Sequence, residues 1–306
     1  MSIAPLPEQP PASIGDALAI CEQQLLASDI YFGHGTDNAW DEAVQLVLAA
    51  CDLPADSDND VISMPVTEAQ WQRIRAWLSR RVDERTPLPY LTGRAWFAGL
   101  EFICDARALV PRSPLAELIQ SNFQPWYHGP APSRILDLCC GGGSIGIAAA
   151  VYQPGARVDL ADIDTEALSL AAENTARHEL EGRVQCLQSD LFDAIPPERY
   201  DLILSNPPYV DAEDLAQMPS EYHREPPRGL GSGHDGLDMT RQILARAADF
   251  LADTGLLIVE VGNSWEALEA AYPDVPFTWI NFEHGGHGVF VLSARELQDY
   301  GASLRR

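Results

Sequence analysis

The 306-residue chain is 46% hydrophobic and 21% charged, ordinary proportions for a protein that buries one large core or two modest ones. Its 45 Asp and Glu against 20 Lys and Arg give a formal net charge of −25, which repels phosphate backbones; with no basic cluster beyond the Arg80-Arg81 pair, direct DNA binding is not expected. No run of about 18 apolar residues offers a membrane span, and Met1 to Ser13 lacks the basic and apolar stretches of a secretory signal, so the expected location is cytoplasmic.

In chain order, residues 1–12 are Pro-rich and read as a disordered tail. Ile14, Ala17, Leu18, Cys21 and Leu25 recur at helical spacing from Ser13 to about Ala27. A second helix is predicted over Asn38 to Cys51 with Val44, Leu46 and Val47 inward, followed by an acidic loop from Asp52 to Asp60. Thr67 with Gln70 has the form of a capping box, and starts a third helix whose Trp71, Ile74, Trp77 and Leu78 are core rather than substrate contacts. Residues 13–93 therefore read as a small helical domain. The period then changes. Ala95 to Cys104, aromatic and apolar around Gly99, predicts a β-hairpin within a linker over 94–112. A helix through Leu118 and Ile119 follows Val110-Pro111-Arg112-Ser113-Pro114.

From Ser133 onward short apolar strands alternate with helices. Strands are predicted at Arg134–Leu138, Arg157–Ala161, Arg183–Leu187, Tyr200–Ser205 and Gly255–Val261. The helices are Ile145–Tyr152, Thr165–His178, Asp238–Leu251 and Ser264–Tyr272. Two closing strands, Phe277–Phe282 and Gly288–Leu292, flank His284-Gly285-Gly286-His287, read as a turn and not a metal site. The alternation implies an α/β domain over 113–306, a doubly wound, mostly parallel sheet with an antiparallel edge. The six cysteines form no C-x-x-C pairs and read as reduced, mostly buried thiols.

Two loops carry chemistry. Asp137-Leu138-Cys139-Cys140-Gly141-Gly142-Gly143 joins a predicted strand to a predicted helix, where glycines let the backbone approach a ligand. Asp162, ending the next strand, suits ribose hydroxyls, and Asp190 beside Leu191, ending the third, suits an adenine amino group. A dinucleotide loop ordinarily has Gly where Cys139 stands, so that backbone N–H groups reach a pyrophosphate. S-adenosylmethionine has no phosphate and carries a sulfonium and an amino-acid tail, to which Asp137 is suited. The second loop, Asn206-Pro207-Pro208-Tyr209, follows the fourth strand. Two prolines remove two N–H donors and hold the chain extended. Their carbonyls, with the Asn206 side chain, form a set of acceptors for a planar –NH2 group, and Tyr209 offers a ring face for stacking. A delocalised amide nitrogen needs such acceptors and an in-line placement to become nucleophilic. The polar stretch from Glu225 to Asp238 reads as a long loop able to close over a substrate.

These motifs, with Arg81, Pro89-Tyr90-Leu91-Thr92-Gly93 and Phe97-Ala98-Gly99-Leu100, resemble the HemK-like protein glutamine-N5 methyltransferases over nearly the whole chain after residue 12. The run Pro111-Arg112-Ser113-Pro114-Leu115-Ala116-Glu117, the Cys139-Cys140 pair and Glu221-Tyr222 look like the branch acting on the third protein of the large ribosomal subunit. The resemblance implies a Rossmann-like class I methyltransferase fold of seven strands, behind a helical substrate-binding domain. It implies S-adenosyl-L-methionine held by Cys139 to Gly143, Asp162, Asp190, Leu191 and Asn206, with Asn206, Pro207 and Tyr209 catalytic. It further implies an amide held by Phe97 and Asn206 to Tyr209, and a basic ribosomal protein as client. The alternatives are the same chemistry on peptide release factors, adenine-N6 methylation of DNA, and a non-catalytic chaperone of a basic client.

Overall fold

The computed structural model describes residues 5–305. They form two compact units. The first comprises the stretch up to Ala95 with Cys104–Ala106 and Pro219–Glu225; the second comprises Trp96–Ile103, Arg107–Met218 and the stretch from Pro226 onward.

The three long helices of the first unit each begin where a side chain satisfies a leading amide. Helix α1 (Ile14–Ala27) starts at a Ser13–Asp16 capping box, α2 (Ala39–Ala50) at Asn38, and α3 (Glu68–Asp83) at the Thr67–Gln70 box. A short α4 (Leu88–Thr92) ends at Gly93. The core consists of Ile14, Leu18, Cys21 and Leu25 from α1, Leu46 and Val47 from α2, and Trp71, Ile74 and Leu78 from α3. Val44 and Trp77 are half-buried at its margin. The expected disordered tail is different where it is described: Leu6 packs on this core, and the Pro7 carbonyl accepts the Trp71 indole N–H at 2.9 Å, because a buried indole needs an acceptor. Residues 1–4 lie outside the described residues.

Arg81 of α3, 1% exposed, donates to Glu42 at 2.5 Å, to Glu221 at 3.3 Å and to the Tyr31 carbonyl at 2.7 Å. Glu221 also accepts the Tyr31 amide and pairs with Arg85, while Glu225 meets His34 at 2.8 Å in a buried contact. These contacts bind Pro219–Glu225 into the helical unit, across more than a hundred residues of sequence.

Strands β1 (Arg94–Phe97) and β2 (Leu100–Ile103) form a hairpin whose turn, Ala98-Gly99, has positive φ at both residues, the geometry that matches strand twist. The second unit continues with α5 (Leu115–Gln120), β3 (Arg134–Leu138), α6 (Ser144–Tyr152), β4 (Arg157–Asp162), α7 (Thr165–Arg177), β5 (Val184–Gln188), β6 (Tyr200–Ser205), α8 (Ala212–Gln217), α9 (Asp238–Arg246), β7 (Leu251–Glu260), α10 (Trp265–Ala271), β8 (Thr278–Trp279), β9 (Val289–Ser293), α11 (Ala294–Asp299) and α12 (Gly301–Leu304). Its seven-stranded sheet has the order β5-β4-β3-β6-β7-β9-β8, parallel except for β9. Alternation along each strand divides the core in two. Ile135, Val158, Leu160, Leu202, Leu204 and Ile258 face one layer of helices; Leu136, Leu138, Ile203, Leu257 and Val259 face the other.

Three spans differ from the sequence expectation. Helix α9 stops at Arg246, passes into a 3-10 turn over Ala247–Asp249, and β7 already begins at Leu251, where it pairs with Tyr200. Strand β8 is only two residues; just past it the Ile280 amide still donates to the Val289 carbonyl at 2.9 Å, and the amides of Glu283 and His284 go to the Glu117 carboxylate. The stretch after Glu225 is pinned: Leu230 and Leu237 are buried, the Leu230 carbonyl accepts the Val210 amide at 2.9 Å, and the Ser232 amide donates to the Val210 carbonyl at 3.0 Å.

Candidate active site

The residues singled out in the two loops lie at the carboxyl ends of adjacent parallel strands, beside the point between β3 and β6 where strand order reverses, the usual place for a ligand in an open α/β sheet. After β3 the chain turns through Cys139 (φ 58°) and Gly141 (φ 52°) to Gly143 (φ 81°), which opens α6. Left-handed backbone at a non-glycine residue is costly, and it persists at Cys139 because neighbours fix the turn on all sides. The Cys140 amide donates to the Ala161 carbonyl at 3.1 Å, and the Gly143 amide to the Cys140 carbonyl at 2.8 Å. The Gly141 amide reaches Asp162 Oδ2 at 2.9 Å, and Ser205 Oγ donates to the Leu138 carbonyl at 2.8 Å.

The acids differ in environment. Asp137 is fully buried; its Oδ2 accepts the Gly146 amide at 2.8 Å, and its Oδ1 has no partner among the described residues. Burial pushes this carboxyl up to about 8, against the pull of the Gly146 amide. Asp162 is raised too, first by burial, while its two oxygens brace the Gly141 and Asp164 amides. Asp190 is exposed, and next to it Leu191 is buried at φ 45°. Ser189 fixes that corner: its hydroxyl donates to the Leu191 carbonyl at 2.7 Å and accepts the Ala194 amide at 2.9 Å. The Cys139 and Cys140 thiols are pushed up by burial, then by the neighbouring carboxylates, so both stay protonated and unreactive.

At the end of β6, Asn206 is half-buried and Pro207 buried. Among the described residues, nothing donates to the Asn206 side chain or to the carbonyls of Asn206, Pro207 and Pro208. The Tyr209 carbonyl differs: it accepts the Ser264 hydroxyl at 2.8 Å. Phe97 is 5% exposed in the second unit's core, edge-on to Phe102 with ring centroids 6.5 Å apart. Two contributors were not singled out in the sequence. Asn174 of α7, 1% exposed, donates to the carbonyls of Gly142 at 3.0 Å and Ile103 at 3.1 Å and accepts the Ile103 amide, fastening the glycine loop to the hairpin. Glu260, at the end of β7, accepts the Tyr209 hydroxyl. An Asn inside a helix carries no local pattern that marks it, and Glu260, an acid at a strand's end like Asp162, differs only in what it reaches: the Tyr209 hydroxyl of another loop. Among the described residues, no group of three or more His, Cys, Asp or Glu converges as a metal site.

The donor set fits S-adenosylmethionine. A buried carboxylate with an unpaired oxygen beside a glycine loop suits a cationic amino-acid end, and two further acids at the next strand ends suit a ribose and an adenine amine. Fold and loops together define a class I S-adenosylmethionine-dependent methyltransferase. The family model described as "Methyltransferase small domain" matches residues 116–221. The ribosomal protein uL3 glutamine methyltransferase of Francisella tularensis is 43% identical over 96% of this chain and 94% of its own length. That of Xanthomonas campestris is 48% identical over 89% of this chain and 88% of its own. The chain belongs to this family of glutamine methyltransferases. Among solved structures, the hMettl16 catalytic domain in complex with MAT2A 3'UTR hairpin 6 aligns at a TM-score of 0.50 and 15% identity, over 74% of this chain and 81% of that one, a likeness of fold. Among the described residues no helix is long and apolar enough to cross a membrane.

Proposed function

We propose that this enzyme methylates the side-chain amide nitrogen of a glutamine in ribosomal protein uL3, acting in the cytoplasm. The observation that supports it is the row of carbonyls from Asn206 to Pro208, unclaimed by any described donor, at the strand end next to the cofactor loop. An amide –NH2 has two protons and a delocalised lone pair. Asn206 Oδ1 and the Pro207 carbonyl accept those protons, which raises electron density on nitrogen and fixes its plane; Tyr209 packs against that plane. S-adenosylmethionine supplies the methyl carbon as an electrophile on a sulfonium. Asp137 and the Cys139–Gly143 turn hold its amino-acid end, Asp162 the ribose, and Asp190 with Leu191 the adenine. As the nitrogen gains positive charge the same carbonyls stabilise it, so catalysis is by position and electrostatics. No strong base is required, because an N-alkylated amide cation is itself a strong acid. Phe97 supports the substrate from the hairpin side.

The net charge of −25 favours a basic ribosomal client and disfavours DNA. The test is intact-mass and fragment analysis of uL3 after incubation with the enzyme and S-adenosylmethionine, beside a peptide release factor and duplex DNA. The expected result is one added methyl group on one glutamine of uL3 alone. Methyl transfer to the release factor or to adenine in its place would overturn the client.

A further inference from the structure

Glu260 stands outside every role assigned so far, yet it is among the most constrained acids in the molecule. It closes β7 and is 5% exposed. Oε1 accepts the Tyr209 hydroxyl at 2.9 Å, and Oε2 accepts the Ser113 hydroxyl at 2.6 Å. Ser113 Oγ in turn accepts the Leu115 amide at 3.1 Å, so its one proton is directed to Glu260. The rest of Tyr209 is hemmed in. A Cβ on Gly262 would fall 2.5 Å from ring atom Cε2, and one on Gly236 would fall 2.1 Å from the Tyr209 carbonyl oxygen. That oxygen is held by Ser264. Ring and carbonyl are thus fixed by the Gly262–Ser264 turn, with Gly236 also close to the carbonyl, and the hydroxyl by the end of β7.

We propose that Glu260, in its ionised form, is the positioning residue for the Asn206–Tyr209 loop, holding the Tyr209 hydroxyl and through it the set of carbonyls that methyl transfer requires. The proposal rests on the role given to that loop above. Ionisation matters because both carboxylate oxygens are acceptors in this arrangement. A neutral carboxyl must put a proton on one of them, and either Tyr209 or Ser113 then loses its acceptor. The groups facing Glu260 are Ser113 and the Arg112 cation from the segment before α5 and Tyr209 from the loop after β6; on β9 the residue opposite is Val289, which is apolar. Burial pushes the Glu260 carboxyl up to about 7, against the pull of Ser113, Tyr209 and Arg112, so the switch falls within the working range of an enzyme.

The test measures kcat, KM for uL3 and the Kd for S-adenosylmethionine against pH, on the full chain and on Glu260→Gln and Ser113→Ala. Wild-type kcat at saturating cofactor is expected to fall about tenfold per pH unit below about 7. Glu260→Gln, whose amide has only one acceptor, is expected to lower kcat roughly ten- to a hundredfold, to abolish that acid limb, and to leave the cofactor Kd within about twofold. Ser113→Ala removes a hydrogen bond that favours the charged form, so it is expected to move the limb to higher pH while folding normally. A Glu260→Gln enzyme that keeps wild-type kcat, or keeps the acid limb, overturns the proposal alone. A wild-type enzyme that fails to methylate uL3 overturns the proposed function and this inference with it.

Discussion

Asp137 gives a quantitative handle on how the cofactor end is built. Burial on folding pushes its carboxyl from an ordinary value of 3.8 up to about 8. A carboxyl raised on folding contributes stability that is complete below the unfolded value and is lost as pH rises through the folded value. The wild type should therefore weaken between about pH 4 and about pH 8, by at most about 1.4 kcal/mol per pH unit, which bounds the loss by neutrality at roughly 4 kcal/mol. Asp137→Asn removes the titration and keeps a carbonyl for the Gly146 amide, but it sets two N–H donors where Oδ1 has no described partner, at a cost of about 1–3 kcal/mol. The difference is a variant more stable than wild type by about 1–3 kcal/mol at neutral pH, with the advantage vanishing between about pH 4.5 and about pH 6 and the order reversed near pH 4. Hydrogen exchange of the β3 and β6 amides, without cofactor, reads the second unit by itself and avoids assuming that a two-unit chain unfolds in one step. The variant should also bind S-adenosylmethionine more weakly, since an amide cannot ionise against a cation as the carboxyl can. Parallel pH dependences of exchange in the two proteins would refute the reasoning, because the carboxyl would then be ionised at no cost.

Asn206→Ala is expected to lower kcat by roughly a hundred- to a thousandfold with cofactor affinity nearly intact, whereas Asp162→Ala, which also frees the Gly141 amide, should weaken cofactor binding by about 1–3 kcal/mol; isothermal titration and steady-state kinetics separate the two. Gly146→Ala would drive a Cβ to 2.2 Å from Leu160 Cδ2 and 3.0 Å from Asp137 Oδ2. Overpacking of about 1–3 kcal/mol should outweigh a helix-propensity gain of about 1 kcal/mol, seen as a lower Tm. Arg81→Ala leaves the buried Glu42 without a cation and Glu221 with Arg85 alone, and should cost about 3–5 kcal/mol in the helical unit, measured by exchange of the α2 and α3 amides.

Local signals made much of the fold legible. Ser13 with Asp16 and Thr67 with Gln70 announce helix starts, and a capping box depends only on residues three apart. The strands β3, β4 and β6 are apolar runs because both faces of a parallel sheet are covered. What failed to show depends on distant partners. The end of α9 and the early start of β7 follow from the Leu251 pairing with Tyr200, and the course of Glu283 and His284 after β8 from Glu117 capturing their amides more than 160 residues away. The ordered course of Leu6 and Pro7 depends on Trp71 needing an acceptor. The place of Pro219–Glu225 in the helical unit depends on Arg81, Arg85 and His34, none of which is near it in sequence.

The candidate site divides in the same way, and its chemistry explains the division. Loops that approach a ligand need glycine, proline and acids at strand ends, and such residues declare themselves in sequence. Asn174, Ser189, Ser205 and Glu260 only keep those loops in shape, and each is a single polar residue whose meaning lies in what it reaches. The arrangement is also graded by charge along the sheet. On the proposed reading, acids close β3 and β4 and follow β5, where the cofactor's cationic amino-acid end, its ribose and its adenine amine are to be held, while neutral carbonyls follow β6, where a neutral amide is to be held that becomes positive only during transfer. A carboxylate in the second place would share the fate of Asp137 and Glu260, which burial drives toward the protonated form; it would become a donor where the amide's protons require acceptors. Proline and asparagine carbonyls carry the needed polarity at any pH, and the one titrating group attached to them, Glu260, acts through the Tyr209 hydroxyl and not on the nitrogen itself.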